Sequence, residues 1–272
     1  MNNKIENLQT EIRRYCINNS SRWTEKYYEL ASNGTNRSGF GYTDEALYIF
    51  PRYMLLNAIL VKVERYRPED FPTLDEAKRF FRLVATETQS ESTEPHDNKI
   101  ERKAIDEERD AFCKFIEQLN KEDLSSVKPL FYRRVLSEEE SNSIWEKLSL
   151  RWGIPEHYWY PLTIQKPENI EAFQDAYFDK EVSAEKLQEI LRGRGVEKVW
   201  EIREYGANYE LELSVFEPCY NGAEGYWCDE NFDWIIYASH ESSITIGGWL
   251  LSEIQAIWLN WKERIWTTPF FD

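Results

Sequence analysis

Apolar positions recur at three- and four-residue spacing through the first half of the chain and at two-residue spacing through much of the last third. Thr43, Asp44 and Glu45 open a run in which Leu47, Phe50, Met54, Ala58 and Val61 share one face of a predicted helix. Pro51 is expected to kink that helix or mark its early boundary, because it lacks an N–H and its ring crowds the preceding turn. Thr73 opens a second helix through Leu74, Ala77, Phe80, Phe81 and Val84. A third carries Ile100, Ala104, Ile105, Ala111, Phe112, Phe115, Ile116 and Leu119, interrupted only by Glu108. A salt bridge to an arginine is the expected role of Glu108, with ligation as the alternative. Residues 86–98, TETQSESTEPHDN, hold no large apolar group and read as an exposed loop or flexible linker. Ser137 and Glu140 have the spacing of a capping box, ahead of a helix with Ile144, Trp145 and Leu148 that should stop near Gly153 and Pro155. Two further helices are expected around 168–178 and 184–192, the second starting at Ser183 and ending at Gly193.

Beyond that the period becomes two. In NYELELSVFE, Tyr209, Leu211, Leu213 and Val215 alternate with Glu210, Glu212 and Ser214, the pattern of a strand with one buried face. Val199 to Tyr205 should pair with it through a turn near Gly206-Ala207-Asn208. A second hairpin is expected from Phe232 to Ser239 and Ser243 to Ile246, with His240-Glu241-Ser242 between. After Gly247-Gly248, a Trp-rich helix should bury Leu250, Ile254, Ile257, Trp258, Trp261 and Ile265. These elements predict an α+β fold: a helical N-terminal half, then an antiparallel sheet backed by a Trp-rich C-terminal helix. The expected division is a mostly helical region at 1–153 and an α+β region at 154–272, with one continuous domain left open.

Charge sharpens the division. Residues 201–272 hold 3 Lys/Arg against 13 Asp/Glu, most of the whole-chain net charge of -16. That field repels phosphate backbones and anionic lipids and attracts basic surfaces, so neither nucleic acid nor membrane is an expected partner. The apolar run from Ala46 to Val63 is broken by Pro51, Arg52, Asn57 and Lys62, too interrupted for a bilayer span. The polar N-terminus has no signal-peptide core, and four cysteines without CxxC spacing suggest reduced thiols, so a cytoplasmic location is expected.

Ser239-His240-Glu241 raises a chemical question. Members of a catalytic triad meet through folding, and adjacent strand residues point to opposite faces, so their contiguity favours turn residues. His240-Glu241 begins like a zincin helix, but Ile244 stands where the second histidine belongs. Zinc on Cys219, Cys228 and His240 would lack a close ligand pair, and neither His96 nor His157 has the glutamate three residues earlier that a di-iron bundle needs. Gly193-Arg194-Gly195 reads as a helix stop and Gly247-Gly248 as a tight turn rather than phosphate cradles. No metal or cofactor is expected. The remaining lead is aromatic. Tyr158-Trp159-Tyr160 and Tyr226-Trp227 fall on expected loops, the second ringed by Glu224, Asp229, Glu230 and Asp233. An acidic ring about an aromatic centre suits a basic protein patch, with core lids as the structural alternative.

The C-terminal run Tyr226-Trp227, Asp233-Trp234, Tyr237, Ser239-His240-Glu241 and Ile246-Gly247-Gly248, with the Trp-rich helix, resembles uncharacterised bacterial proteins. Some of these are similar to immunity proteins of polymorphic toxin systems, which are small, acidic, cytoplasmic and aromatic-rich. The likeness covers about the last 70–80 residues and carries over no functional residue. The acidic segment, the loop aromatics and the lack of a catalytic motif lead to the expectation of a non-enzymatic bacterial protein that binds a basic partner, a toxin being one candidate, through Tyr226, Trp227, Glu224, Asp229, Glu230, Trp159 and Tyr160. The competing readings are a hydrolase or transferase using His240 with Glu241 or Asp233, and a structural or regulatory module built on the helical half.

Overall fold

The computed structural model describes residues 2–39, 41–90, 98–154, 159 and 169–267. Two compact units divide at 130/131; the sequence pattern placed the change of character later, at 153/154. Unit 1 holds α1 (Asn2–Ser32), a short hairpin of β1 (Arg37–Ser38) and β2 (Gly41–Tyr42), α2 (Asp44–Val63), α3 (Leu74–Glu87) and α4 (Lys99–Gln118). Leu8, Ile12 and Cys16 of α1 meet Leu55, Leu56 and Ile59 of α2, Phe81 of α3 and Phe112 and Ile116 of α4 in one core. Thr43, Thr73 and Asn98 cap α2, α3 and α4 through side-chain oxygens. Pro51 lies inside α2, which continues across it from Asp44 to Val63 rather than starting there. By length and composition it could also cross a bilayer, but its Leu55, Leu56, Ile59, Leu60 and Val63 are buried in this core.

Glu108 behaves as expected. Its carboxylate is buried, 3.0 Å from Nη1 of Arg52, and accepts Trp23 Nε1–H at 3.1 Å. Arg13 and Glu64 form a second buried pair at 3.0 Å. Such pairs offset a desolvation cost of several kcal/mol per ion only when well bonded, and removing one partner strands the other charge. The first part of the expected linker is ordered structure. Residues 86 and 87 finish α3, Thr88 and Ser90 are buried, and Arg109 Nη2 donates to Thr88 O at 2.6 Å. Residues 91–97, with His96, lie outside the described residues.

Unit 2 contains β3 (Arg133–Val135), α5 (Glu138–Trp152), β4 (Ile170–Gln174), α6 (Asp175–Glu181), α7 (Ala184–Gly193), β5 (Lys198–Arg203), β6 (Tyr209–Glu212), β7 (Gly225–Cys228), β8 (Trp234–Ser239), β9 (Ser243–Gly248) and α8 (Trp249–Ile257). Its seven strands form one antiparallel sheet in the order β3-β6-β5-β7-β8-β9-β4. Trp227, Trp234, Ile236, Ile244 and Ile246 face α6, α7 and α8 on one side. Tyr226, Cys228, Ile235 and Tyr237 face Ile144 and Leu148 of α5 on the other. The expected α+β architecture is therefore present, with helices on both faces of the sheet.

Burial on both faces explains the first of three differences from the sequence pattern. Ile170 and Phe173 are spaced as on a helix, but they lie on opposite faces of β4, where a helix over 168–178 was expected. The strand begun at Tyr209 ends at Glu212, and Leu213–Val215 make a 3₁₀ turn. The Trp-rich helix is also shorter: α8 stops at Ile257, which is exposed, while Trp258 is buried and Trp261 starts a 3₁₀ turn. Ile265 then bridges Phe173, and Trp266 N–H donates to Ala172 O at 2.9 Å, covering the free edge of β4.

Two adjacent glycines have different jobs. A Cβ on Gly247 would lie 2.8 Å from Ile235 Cγ2 and 2.9 Å from the Trp152 ring, so its absence lets α5 close on the sheet. Gly248 has φ +75°, and a Cβ there would meet the Asp233 carbonyl at 2.0 Å. The tight-turn reading therefore fits Gly248. We expect Gly247→Ala to cost about 1–3 kcal/mol, as overpacking does. Gly248→Ala should cost more, because backbone rather than a rotatable ring opposes it. Urea unfolding of both variants checks the order, and equal midpoints would refute it.

The Ser137–Glu140 capping box is formed, and Gly153 closes α5 in the left-handed conformation. Glu140 also takes a bidentate contact from Arg134 at 2.8 and 3.0 Å. Arg134, with the Ser137 N–H second, holds the Glu140 carboxyl at about 2, below its ordinary 4.5. A depressed folded-state value gives stability that is full above about 4.5 and lost as pH falls towards 2. Glu140→Gln should therefore lower stability at pH 7 by about 1 kcal/mol, a modest figure because the group is partly exposed. The gap from wild type should close between those two pH values, as measured by thermal melts across the range.

Candidate functional site

The pairing register gathers the C-terminal ends of β5, β8 and β4 and the N-terminal ends of β7 and β9 at one end of the sheet. Three loops meet there: 204–208, 216–224 and 239–242. Tyr205 OH donates to Gly222 O at 2.7 Å, tying the first loop to the second, and Tyr220 lies with its ring 6.5 Å from the His240 imidazole. His240-Glu241-Ser242 is the three-residue turn of the β8–β9 hairpin, as its sequence suggested. Ser242 takes φ 56°, the left-handed position that closes such turns.

Beneath this turn sits Glu224, 3% exposed and immediately ahead of β7. One carboxylate oxygen accepts the Tyr237 hydroxyl. The other accepts Ser239 Oγ–H at 3.2 Å and lies 2.5 Å from His240 Nδ1, which carries the proton as donor. Glu241 Oε1 is 3.3 Å from His240 Nε2, so the imidazole stands between two carboxylates. Tyr226 stacks on Tyr237 with centroids 4.6 Å apart. Burial first, then the bond to Glu224, raises Tyr237 above the ordinary phenol range, and burial likewise raises Tyr226. Both rings are thus neutral at pH 7, and the Tyr237 hydroxyl donates to the buried anion.

The expected aromatic centre is corrected. Tyr226 and Trp227 belong to the interior of β7, not to a loop, and are 0% and 2% exposed. They face opposite sides of the sheet, Trp227 packing with α7 and α8 residues and Tyr226 meeting Trp145 edge-on. The acidic ring is divided as well. Glu224 precedes β7, whereas Asp229 and Glu230 follow it at the far end, where Asp229 accepts the Asn231 N–H at 3.0 Å. Asp233 is at that far end too, accepting Trp249 Nε1–H at 2.9 Å, and so is not a partner of His240. Trp159 is buried against Trp152 and Tyr237, the core-lid alternative; Tyr158, Tyr160 and His157 lie outside the described residues.

Cys228 is buried inside β7, and all four cysteines are free. Among the described residues no three His, Cys, Asp or Glu side chains are placed to hold a metal ion. Sequence reasoning overlooked the Glu224–His240 contact and the exposed rings of Tyr205 and Tyr220. One signal was available: Glu224, Tyr226 and Cys228 share a parity, which aims the carboxylate at the face of Tyr237. No family model matches the chain, and neither a curated protein nor a solved structure matches it significantly.

Removing the Tyr237 hydroxyl would leave a buried carboxylate short of a donor. Tyr237→Phe should cost about 1–3 kcal/mol, whereas His240→Ala, on the surface side, should cost under about 1 kcal/mol. Denaturant unfolding checks the ranking; a His240→Ala loss as large as that of Tyr237→Phe would make the histidine a structural element.

Proposed function

We propose that unit 2 is a binding module whose hairpin end receives a basic protein partner. The carrying observation is its composition in space. The three loops of that end contribute Glu204, Glu217, Glu224 and Glu241 and contain no Lys or Arg. Within them Tyr205 and Tyr220 are 59% and 42% exposed. Exposed tyrosines supply contact area at low entropic cost, and surrounding carboxylates steer a cationic surface towards them. Tyr205 and Tyr220 replace Tyr226 and Trp227 as anchors in this reading. A toxin neutralised by an immunity protein is one partner of this chemistry, consistent with the style of the C-terminal sequence.

A hydrolase or transferase centred on His240 is the second reading, favoured by the carboxylate-anchored imidazole. It has no partner in Asp233, and Ser239 Oγ is committed to Glu224 beneath the surface.

The binding reading is tested with a basic protein recovered on the immobilised full chain from its native cells. Raising salt from 0.1 to 1 M shortens the Debye length from about 10 to about 3 Å, so association should slow while dissociation changes less. Glu204→Lys, Glu217→Lys and Glu241→Lys together should reproduce that slowing, and Tyr220→Ala should speed dissociation. Association kinetics indifferent to both salt and the triple reversal would exclude this surface.

A further inference from the structure

We infer that Glu224 is a buried anchor for an arginine of the partner, and that His240 is the group this arginine displaces. The assignment builds on the acidic-face reading and names the side chain it takes. Three donors satisfy Glu224, and they differ in place. Tyr237 and Ser239 are buried residues of β8, whereas the His240 side chain is 54% exposed on the hairpin turn. Swinging His240 outwards about its side-chain bonds opens the carboxylate to the surface and leaves both inner hydrogen bonds in place.

The slot it leaves has a defined chemistry. Glu224 Oε1 and Glu241 Oε1 stand 2.5 and 3.3 Å from the two nitrogens of one planar ring. A guanidinium is a planar cation with five donors and can address both carboxylates at once. The Tyr220 ring, 6.5 Å from the imidazole, flanks the same space and offers a face for a delocalised cation. An ammonium is a strongly hydrated point charge and matches neither the two-carboxylate geometry nor the ring as well. Because the inner half of Glu224 is already dehydrated and bonded, the arriving arginine meets an organised anion, the setting in which charged interface contacts are strongest.

The probe is a glycine-flanked tetra-arginine peptide, with the matching tetra-lysine peptide as control, titrated against the full chain at low salt. The arginine peptide should bind at least about tenfold more tightly than the lysine peptide, a preference at the low end of close charge-pair couplings. His240→Ala should keep or strengthen that binding, since the displaced group is gone. Glu224→Gln should erase the arginine preference, with its thermal melt showing that it folds. Should Glu224→Gln fail to fold, the Nδ1–H signal of His240 in the wild-type chain decides. It should move on saturation with the arginine peptide and not with the lysine peptide. Equal affinity for the two peptides, a folded Glu224→Gln that keeps the preference, or an undisturbed Nδ1–H signal at saturation overturns the anchor and leaves the acidic face standing. Absence of binding by either peptide overturns both.

Discussion

In unit 2 the central strands have no wet face. The strand β8 is buried along its whole length, with α6, α7 and α8 over one side of the sheet and α5 over the other. Such a strand cannot alternate apolar with polar residues, so Trp234-Ile235-Ile236-Tyr237-Ala238 is apolar or aromatic at every position. Gly247 gives up its side chain to admit the Trp152 ring, and Trp227 satisfies its indole N–H on Glu201. Any carboxylate drawn into these layers must bring its donors along, which is the situation of Glu224 with Tyr237 and Ser239. Polar function is thereby pushed to the ends of the strands, where the loops reach water.

The same constraint decides what could be read from sequence. Elements with a wet face were legible: α3, α4, the capped start of α5, α7 from Ser183 and the β5–β6 hairpin, because solvent imposes a period on them. The β8–β9 hairpin, buried on both faces, was legible instead from the polar turn His240-Glu241-Ser242 between two apolar runs. Two other strands buried on both faces, β4 and β7, were not. Ile170-Glu171-Ala172-Phe173 mimicked a helix, and Gly225-Tyr226-Trp227-Cys228 looked like a loop because neither shows alternation of apolar and polar residues. The edge strand β3 is too short and too charged to announce itself, its Arg133 and Arg134 suiting an exposed edge. For the site, His240 was found as a turn residue. Its tie to Glu224 required the β7–β8 register, which sets Gly225 opposite Ala238.

Unit 1 meets the problem of buried charge differently. Arg52 answers Glu108 from a neighbouring helix, and Trp23 fills the carboxylate's remaining demand. Arg13 and Glu64 repeat the device between α1 and the residue that caps α2. The Arg52–Glu108 and Arg13–Glu64 pairs are themselves buried, and Arg52 reaches outward as well, to Glu107, whose side chain is 42% exposed. Glu224 differs in its partners: its inner donors are neutral hydroxyls, and the imidazole of His240 that it touches is 54% exposed.

That difference bears on how the negative charge of the C-terminal segment acts. The 13 acidic residues after position 200 are not equivalent. Asp229 and Asp233 are spent on the turn after β7 and on Trp249, and Glu201 lies against Trp227 and 3.5 Å from Arg203. At long range every unit of net charge contributes to attraction of a basic surface, whatever its local bonds. At contact, only carboxylates that can exchange a donor gain from a new cation. Glu204, Glu217 and Glu241 reach solvent at the hairpin end, and Glu224 reaches it through a side chain that can turn away. Long-range attraction and close recognition would then draw on different members of the same acidic set, the first on their number and the second on the loops that frame His240.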